Sequence, residues 1–177
     1  MRIGLDVDST CCDSMPVILA EVERVTGIHF EKSYITEYDQ IVGNFSLGLI
    51  IRDLYKQRPS VLHDMEPVVG AVEGIAKLAE NHEIIFITSR HNATIPVTEA
   101  WIRHHFGKYP IFHTGPSEDK CNNEIDLLID DGPKFAVEFA SRGHDVLLFD
   151  QPWNQDVKDT RYITRVKSWA DIVRLIG

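Results

Sequence analysis

Short apolar runs alternate with amphipathic stretches along most of this chain. Residues 3–8, 83–87, 111–112, 125–129 and 146–149 form runs too brief for typical helices, closed by polar, glycine or proline residues, which predicts strands. Between them apolar residues recur at helical spacing. Val17, Ile18, Glu21, Val22 and Val25 predict a helix over residues 15–26, stopped by Gly27. A second helix is expected over 47–56, ended by Pro59. Val69, Val72, Ile75 and Leu78 mark a third, and Ile95-Pro96 opens a fourth that stops at Gly107. Pro133 opens a fifth, closed by Gly143, and residues 169–176 form the last. Pro110 places the run at 111–112 on a sheet edge or at a strand start. Tyr162-Ile163 is a further short apolar patch.

This alternation predicts a Rossmann-like α/β fold, with a mostly parallel sheet of about five strands and helices on both faces joined by right-handed crossovers. Residues 13–65 interrupt the first connection and are much longer than an ordinary loop. They read as a small helical cap over one edge of the sheet, inserted into a core built from 1–12 and 66–177. No internal repeat or low-complexity tract stands out.

The chemistry is carried by strand ends. The first run closes as Asp6-Val7-Asp8, so that in an extended strand both carboxylates point to one side. Like charges so placed repel unless a cation or a shared proton separates them, which suggests Mg²⁺, although Asp-x-Asp can also simply open a turn. A second acidic pair, Asp130-Asp131, closes the run Leu127-Leu128-Ile129. Parallel strands bring their C-terminal ends to one edge, where open α/β sheets bind ligands, so all four carboxylates are expected to converge on one crevice. Ile87 is followed by Thr88-Ser89-Arg90, whose hydroxyls and backbone amides can hold a phosphate oxygen or merely cap the turn. Lys120 lies in a polar loop before the second acidic run, where a lysine is usually solvated.

Composition narrows the class. The 177 residues carry ordinary apolar content and a net charge of -9, which disfavours nucleic-acid polymers and anionic membranes as partners. No run approaches a transmembrane span or a secretory signal, so a soluble, cytoplasmic protein is expected. Cys11, Cys12 and Cys121 are too few for a disulfide framework and lack zinc spacing; the adjacent pair reads as small buried side chains. His91, His104, His105 and His113 form no metal spacing, and the 104–105 pair reads as part of a helix face.

In order and spacing, these residues resemble the haloacid-dehalogenase-like phosphatase superfamily: an Asp-x-Asp strand end, a Ser/Thr strand end, a loop lysine and a paired-acid strand end. The insertion after the first motif, Phe86-Ile87-Thr88-Ser89, Leu127-Leu128-Ile129-Asp130-Asp131 and Phe149-Asp150-Gln151-Pro152-Trp153-Asn154 resemble the 5′(3′)-deoxyribonucleotidase, or cytosolic type C nucleotidase, family. The resemblance implies Asp6 as nucleophile and Asp8 as general acid and base. It implies Thr88, amides near Ser89, and Lys120 on the phosphoryl oxygens. Mg²⁺ would bind the Asp6 carboxylate, the Asp8 main-chain carbonyl and Asp131, with Asp130 on a metal-bound water or on Lys120; the roles of Asp130 and Asp131 are interchangeable at this point. The implied substrate is a nucleoside monophosphate, with Tyr34, Tyr38, Phe45 and Tyr55 as candidate rings for the base or as the cap's own core. A phosphatase for sugar phosphates and a phosphate-binding protein without turnover remain open, as does oligomeric state, a homodimer included. The family commonly has glycine where this chain has Ser9; serine fits unless the position needs positive φ.

Overall fold

The computed structural model describes residues 1–37, 39–115 and 124–177. Its main sheet has six parallel strands: β1 (Arg2–Leu5), β4 (Glu83–Thr88), β5 (Ile111–His113), β6 (Leu127–Asp130), β7 (Asp145–Phe149) and β8 (Ile163–Val166), in the order β5-β4-β1-β6-β7-β8. The sheet has one strand more than expected, because β8 grows out of the Tyr162-Ile163 patch. Its sequence, Ile-Thr-Arg-Val, buries Ile163 and Val166 only, which is too sparse a pattern to stand out as a run. The strand over 125–129 begins two residues later than expected. Asp126 instead exchanges bonds with Arg2, donating its N–H to the Arg2 carbonyl at 2.8 Å and accepting the Arg2 N–H on Oδ2 at 2.7 Å.

Period-two alternation divides the core. Ile3, Leu5, Phe86, Leu127, Ile129 and Leu147 face one layer, and Ile85, Ile87, Leu128, Val146 and Leu148 face the other. Gly4 sits between these sets on β1, where an added Cβ would collide with the side chains of Ile125 and Ile87; the missing side chain lets them fill the second layer. Helices α3 (Ala71–Leu78), α4 (Ile95–His105) and α6 (Trp169–Ile176) cover the first face through Ile75, Leu78, Trp101, Trp169 and Ile172. Helix α5 (Pro133–Ser141) covers the second through Ala136 and Phe139.

The expected face of α3 is corrected. Val69 precedes the helix and is 93 % exposed, and Val72 is exposed too, while Ala71, Gly74, Ile75 and Leu78 are buried. The Trp169 ring lies where a Cβ on Gly74 would be, 2.8 Å from Cε3, so the small residues turn inward to admit it.

Between β1 and α3 the chain forms α1 (Met15–Thr26), a two-stranded antiparallel pair β2 (Ile41–Val42) and β3 (Phe45–Ser46), and α2 (Leu47–Gln57). Gly27 ends α1 at φ 72° and donates its N–H to Glu23 O at 2.8 Å, a left-handed cap that glycine adopts without a steric cost. Ser46 caps α2, accepting the Leu49 N–H on Oγ at 3.2 Å. Met15, Ile18, Val22, Ile35, Val42, Leu47 and Ile50 form a core of their own, which Trp153 joins from the connection between β7 and β8. Among the described residues, no helix is long and apolar enough to cross a membrane.

Candidate active site

β1 is flanked by β4 and β6, so the C-terminal ends of three neighbouring strands meet where the strand order reverses. β1 ends at Leu5 and does not run on to Asp8 as expected, so Asp6 and Asp8 lie beyond it in the turn; Thr88 ends β4 with Ser89 and Arg90 beyond it, and Asp130 ends β6 with Asp131 beyond it. The Asp6 N–H donates to Ile129 O at 2.9 Å, which carries the parallel ladder one residue past the strand and fixes the nucleophile candidate against the second acidic pair. All seven residues line one cavity of about 440 Å³, which Ile18, Ile35, Leu47 and Ile51 also line.

Asp6, Asp130 and Asp131 are buried, and each brings a carboxylate oxygen within 4.8 Å of the others. Three buried acids this close form an all-oxygen donor set that suits a hard divalent cation. Two of them are braced from behind. Asp130 accepts the Gly132 N–H on Oδ1 at 2.7 Å, and Asp131 accepts the Trp153 indole N–H on Oδ2 at 2.8 Å. Asn154 donates from Nδ2 to the Asp131 carbonyl at 2.9 Å, so the short helical turn at Pro152–Asn154 holds both ends of this acid. Outer contacts of this kind orient ligating carboxylates.

The Asp8 side chain is not in that cluster. Arg90 grips it with two bonds, Nε to Oδ2 and Nη2 to Oδ1, both at 2.8 Å, and Tyr55 donates its hydroxyl to Oδ1 at 2.9 Å. Arg90 is itself 4 % exposed, and its remaining Nη1 donates to Thr98 Oγ1 at 3.2 Å. Burial opposes its charge, but the Asp8 carboxylate keeps the guanidinium protonated well above its ordinary range. Burial, then the neighbouring Asp8, pushes the Tyr55 phenol up, so it stays a donor.

Thr88 is buried, and its Oγ1 accepts the Arg90 N–H at 3.2 Å, which shapes the turn and leaves the hydroxyl proton to donate elsewhere. Ser89 and His91 line the cavity beside it. Tyr55 is the one candidate ring among Tyr34, Phe45 and Tyr55 that lines the cavity. Tyr34 is 66 % exposed and packs edge-on to Phe30, and Phe45 is 45 % exposed. Tyr38 and Lys120 lie outside the described residues. Rings that do reach the cavity without having been singled out are Phe135 and Trp153.

Ser9 adopts φ 57°, the one positive φ at a non-glycine among the described residues. Its N–H donates to Cys12 O at 2.7 Å, and its carbonyl accepts from Gln151 Nε2 at 2.8 Å, so bonds on both sides enforce the left-handed turn that aims the loop. Cys11 and Cys12 are fully buried, as expected. Burial raises both thiols, Cys12 to about 12, which leaves them protonated and unreactive.

Arg90, Trp153 and Asn154 carried no assigned role in the sequence. Arg90 had a signal, a cation directly after a Thr-Ser strand end, but a basic residue in a turn is usually solvated. Trp153 and Asn154 had none beyond lying in the Gln-Pro-Trp-Asn segment.

The protein family described as 5′ nucleotidase, deoxy (pyrimidine), cytosolic type C, matches residues 1–177. A protein named nucleotidase CA_C3379 from Clostridium acetobutylicum is 26 % identical over 184 residues, covering 99 % of this chain and 93 % of that one. Among solved structures, a haloacid-dehalogenase-like hydrolase from Streptococcus pneumoniae aligns with a TM-score of 0.67 at 13 % identity, covering 99 % of this chain and 98 % of that one. CbbY from Rhodobacter sphaeroides, solved in complex with phosphate, aligns with a TM-score of 0.63 at 11 % identity, covering 97 % and 95 %.

Proposed function

We propose, on the premise that this chain belongs to the cytosolic type C 5′-nucleotidase family of the haloacid-dehalogenase-like superfamily, that it hydrolyses nucleoside monophosphates by way of an aspartyl-phosphate. The chain is a phosphoric monoester hydrolase that acts on a small phosphorylated substrate. The observation that carries the finer reading is the convergence of Asp6, Asp8, Thr88, Asp130 and Asp131 on one cavity at the ends of three adjacent strands.

In the first displacement an Asp6 carboxylate oxygen bonds to phosphorus while the ester P–O bond breaks, and the carboxyl proton of Asp8 passes to the leaving alkoxide. In the second, water attacks the same phosphorus, its proton goes to the Asp8 carboxylate, and the bond to Asp6 breaks to release inorganic phosphate. The Thr88 hydroxyl, the amides beyond it and Lys120 hold the phosphoryl oxygens through both steps. Asp6, Asp131 and the Asp8 main-chain carbonyl would hold Mg²⁺, with Asp130 beside them; when bound, the ion neutralises charge on the phosphoryl group.

Residues 13–65 act as the cap over the core formed by 1–12 and 66–177. The base lies between the apolar wall of Ile18, Ile35, Leu47 and Ile51 and the rings of Phe135 and Trp153, a cavity of ordinary ligand-binding size. Arg52 and Lys134 also line the cavity and bring cations toward an anionic ligand, against a net charge of -9 and the carboxylates that line the same cavity.

The test is kcat/KM over deoxyribonucleotides, ribonucleotides and sugar phosphates, with and without chelator. We expect nucleoside monophosphates to lead, activity to vanish in chelator and return with magnesium, and Phe135→Ala to cost about 1–3 kcal/mol of selectivity among them. A clear lead for sugar phosphates would remove the nucleotide assignment and leave the phosphatase intact.

A further inference from the structure

We propose that Arg90 and Tyr55 are positioning residues that set the reactive geometry of Asp8, one from the core and one from the inserted segment. The inference rests on the reading of Asp8 as the proton donor and acceptor, and adds what makes that carboxylate usable. A carboxylate in a loop can rotate about χ1 and χ2, and most of those rotamers miss the leaving oxygen. Here both Asp8 oxygens are occupied from fixed directions: Arg90 spans Oδ1 and Oδ2 with parallel bonds at 2.8 Å, and Tyr55 adds a third bond to Oδ1 at 2.9 Å. A bidentate guanidinium fixes the plane of a carboxylate as well as its place, which an ammonium cannot do.

The clamp is braced in turn. Arg90 Nη1 donates to Thr98 on α4, Met65 Sδ lies 4.0 Å from Nη2, and the Tyr55 ring centroid lies 5.6 Å from the guanidinium carbon. A side chain meant to bind the phosphate directly would point free donors into the cavity. Arg90 instead commits Nε and Nη2 to Asp8 and Nη1 to Thr98, so it acts through Asp8. Tyr55 comes from α2, so the general acid and base is completed by the segment that roofs the cavity.

The experiment compares a nucleoside 5′-monophosphate, whose alkoxide leaves poorly, with p-nitrophenyl phosphate, whose phenolate leaves well without a proton. The full-length chain and its Asp8→Asn, Arg90→Met, Arg90→Lys and Tyr55→Phe variants are assayed at saturating magnesium, together with Asp8→Asn combined with each of Arg90→Met and Tyr55→Phe. We expect Arg90→Met to lower kcat for the nucleotide on the order of 100-fold and for the aryl ester by less than about 10-fold, with KM changed little. Arg90→Lys should recover part of that loss. Tyr55→Phe, which keeps the packed ring, should cost about 3- to 10-fold with the same bias. In the Asp8→Asn background neither change should cost anything further, because its effect runs through a group already removed.

Equal losses on both esters, a loss confined to KM, or additivity with Asp8→Asn would each overturn the positioning role. If Arg90→Met fails to fold, Tyr55→Phe decides by the same three criteria. Should Asp8→Asn itself slow both esters equally, the reading of Asp8 falls and the positioning role with it; should Asp8→Asn discriminate while the Arg90 and Tyr55 variants do not, the positioning role alone falls.

Discussion

The Trp153 indole N–H donates to Asp131 Oδ2 at 2.8 Å, so a tryptophan that packs in the apolar core with Met15, Ile18 and Val22 also holds an acid of the carboxylate cluster. Packing and the orientation of that acid thus meet in one side chain. Trp153→Phe keeps most of the ring and removes the donor. We expect magnesium affinity to fall by about 10- to 100-fold with the fold retained, read as the midpoint of a magnesium titration by calorimetry. An unchanged midpoint would show that packing alone orients Asp131.

Asp6→Asn should reduce turnover by at least about 10³-fold, since the amide is nearly isosteric but is no nucleophile. Steady-state hydrolysis of a nucleoside monophosphate checks this, and turnover within about 10-fold of the unchanged chain would remove Asp6 as the nucleophile.

Ser9→Gly should stabilise the chain by about 0.5–1 kcal/mol. The serine is held at φ 57°, where a Cβ is disfavoured, and it returns only a 3.3 Å contact between its Oγ and that of Ser14. Denaturant unfolding measures the difference, and a loss of stability would show that the hydroxyl contact outweighs the backbone strain.

Glu21 on α1 is buried between Arg24, which donates at 2.9 and 2.7 Å, and Arg58 just past α2. The hydrogen-bonded Arg24 outweighs burial and, with Arg58, lowers the carboxyl below its ordinary 4.5. A depressed folded value contributes stability that is present above the ordinary value and lost as pH falls through the folded one. Because both arginines are largely exposed, Glu21→Gln should cost only about 1 kcal/mol at neutral pH. The cost should fade as pH falls below the ordinary 4.5 and through the lower folded value, as read by unfolding at a series of pH values. A cost independent of pH would point to shape rather than charge.

Most of the element order was legible in the chain. The helix over 15–26 with its glycine stop and the edge position of Ile111 and Phe112 follow from periods and turn residues that act within a few positions. The meeting of the two acidic pairs was legible too, because parallel strands leave their C-terminal ends no other edge to share. On the inward face of α3, Ile75 and Leu78 were legible but Ala71 and Gly74 were not: their burial depends on the Trp169 ring filling the place beside Gly74, a residue ninety-five positions away. The sixth strand was missed because β8 pairs as an edge with only two buried side chains.

At the site, the sequence by itself determined which strand ends carry carboxylates and hydroxyls, since these are matters of local order and side-chain type. Only the tertiary structure decided that Asp6 clusters with Asp130 and Asp131 while the Asp8 side chain turns to Arg90 and Tyr55. Asp6 and Asp8 are equivalent as residues. What separates them is a buried cation eighty-two positions from Asp8 and a phenol forty-seven positions away, and such partners are chosen by three-dimensional packing, which no local pattern records.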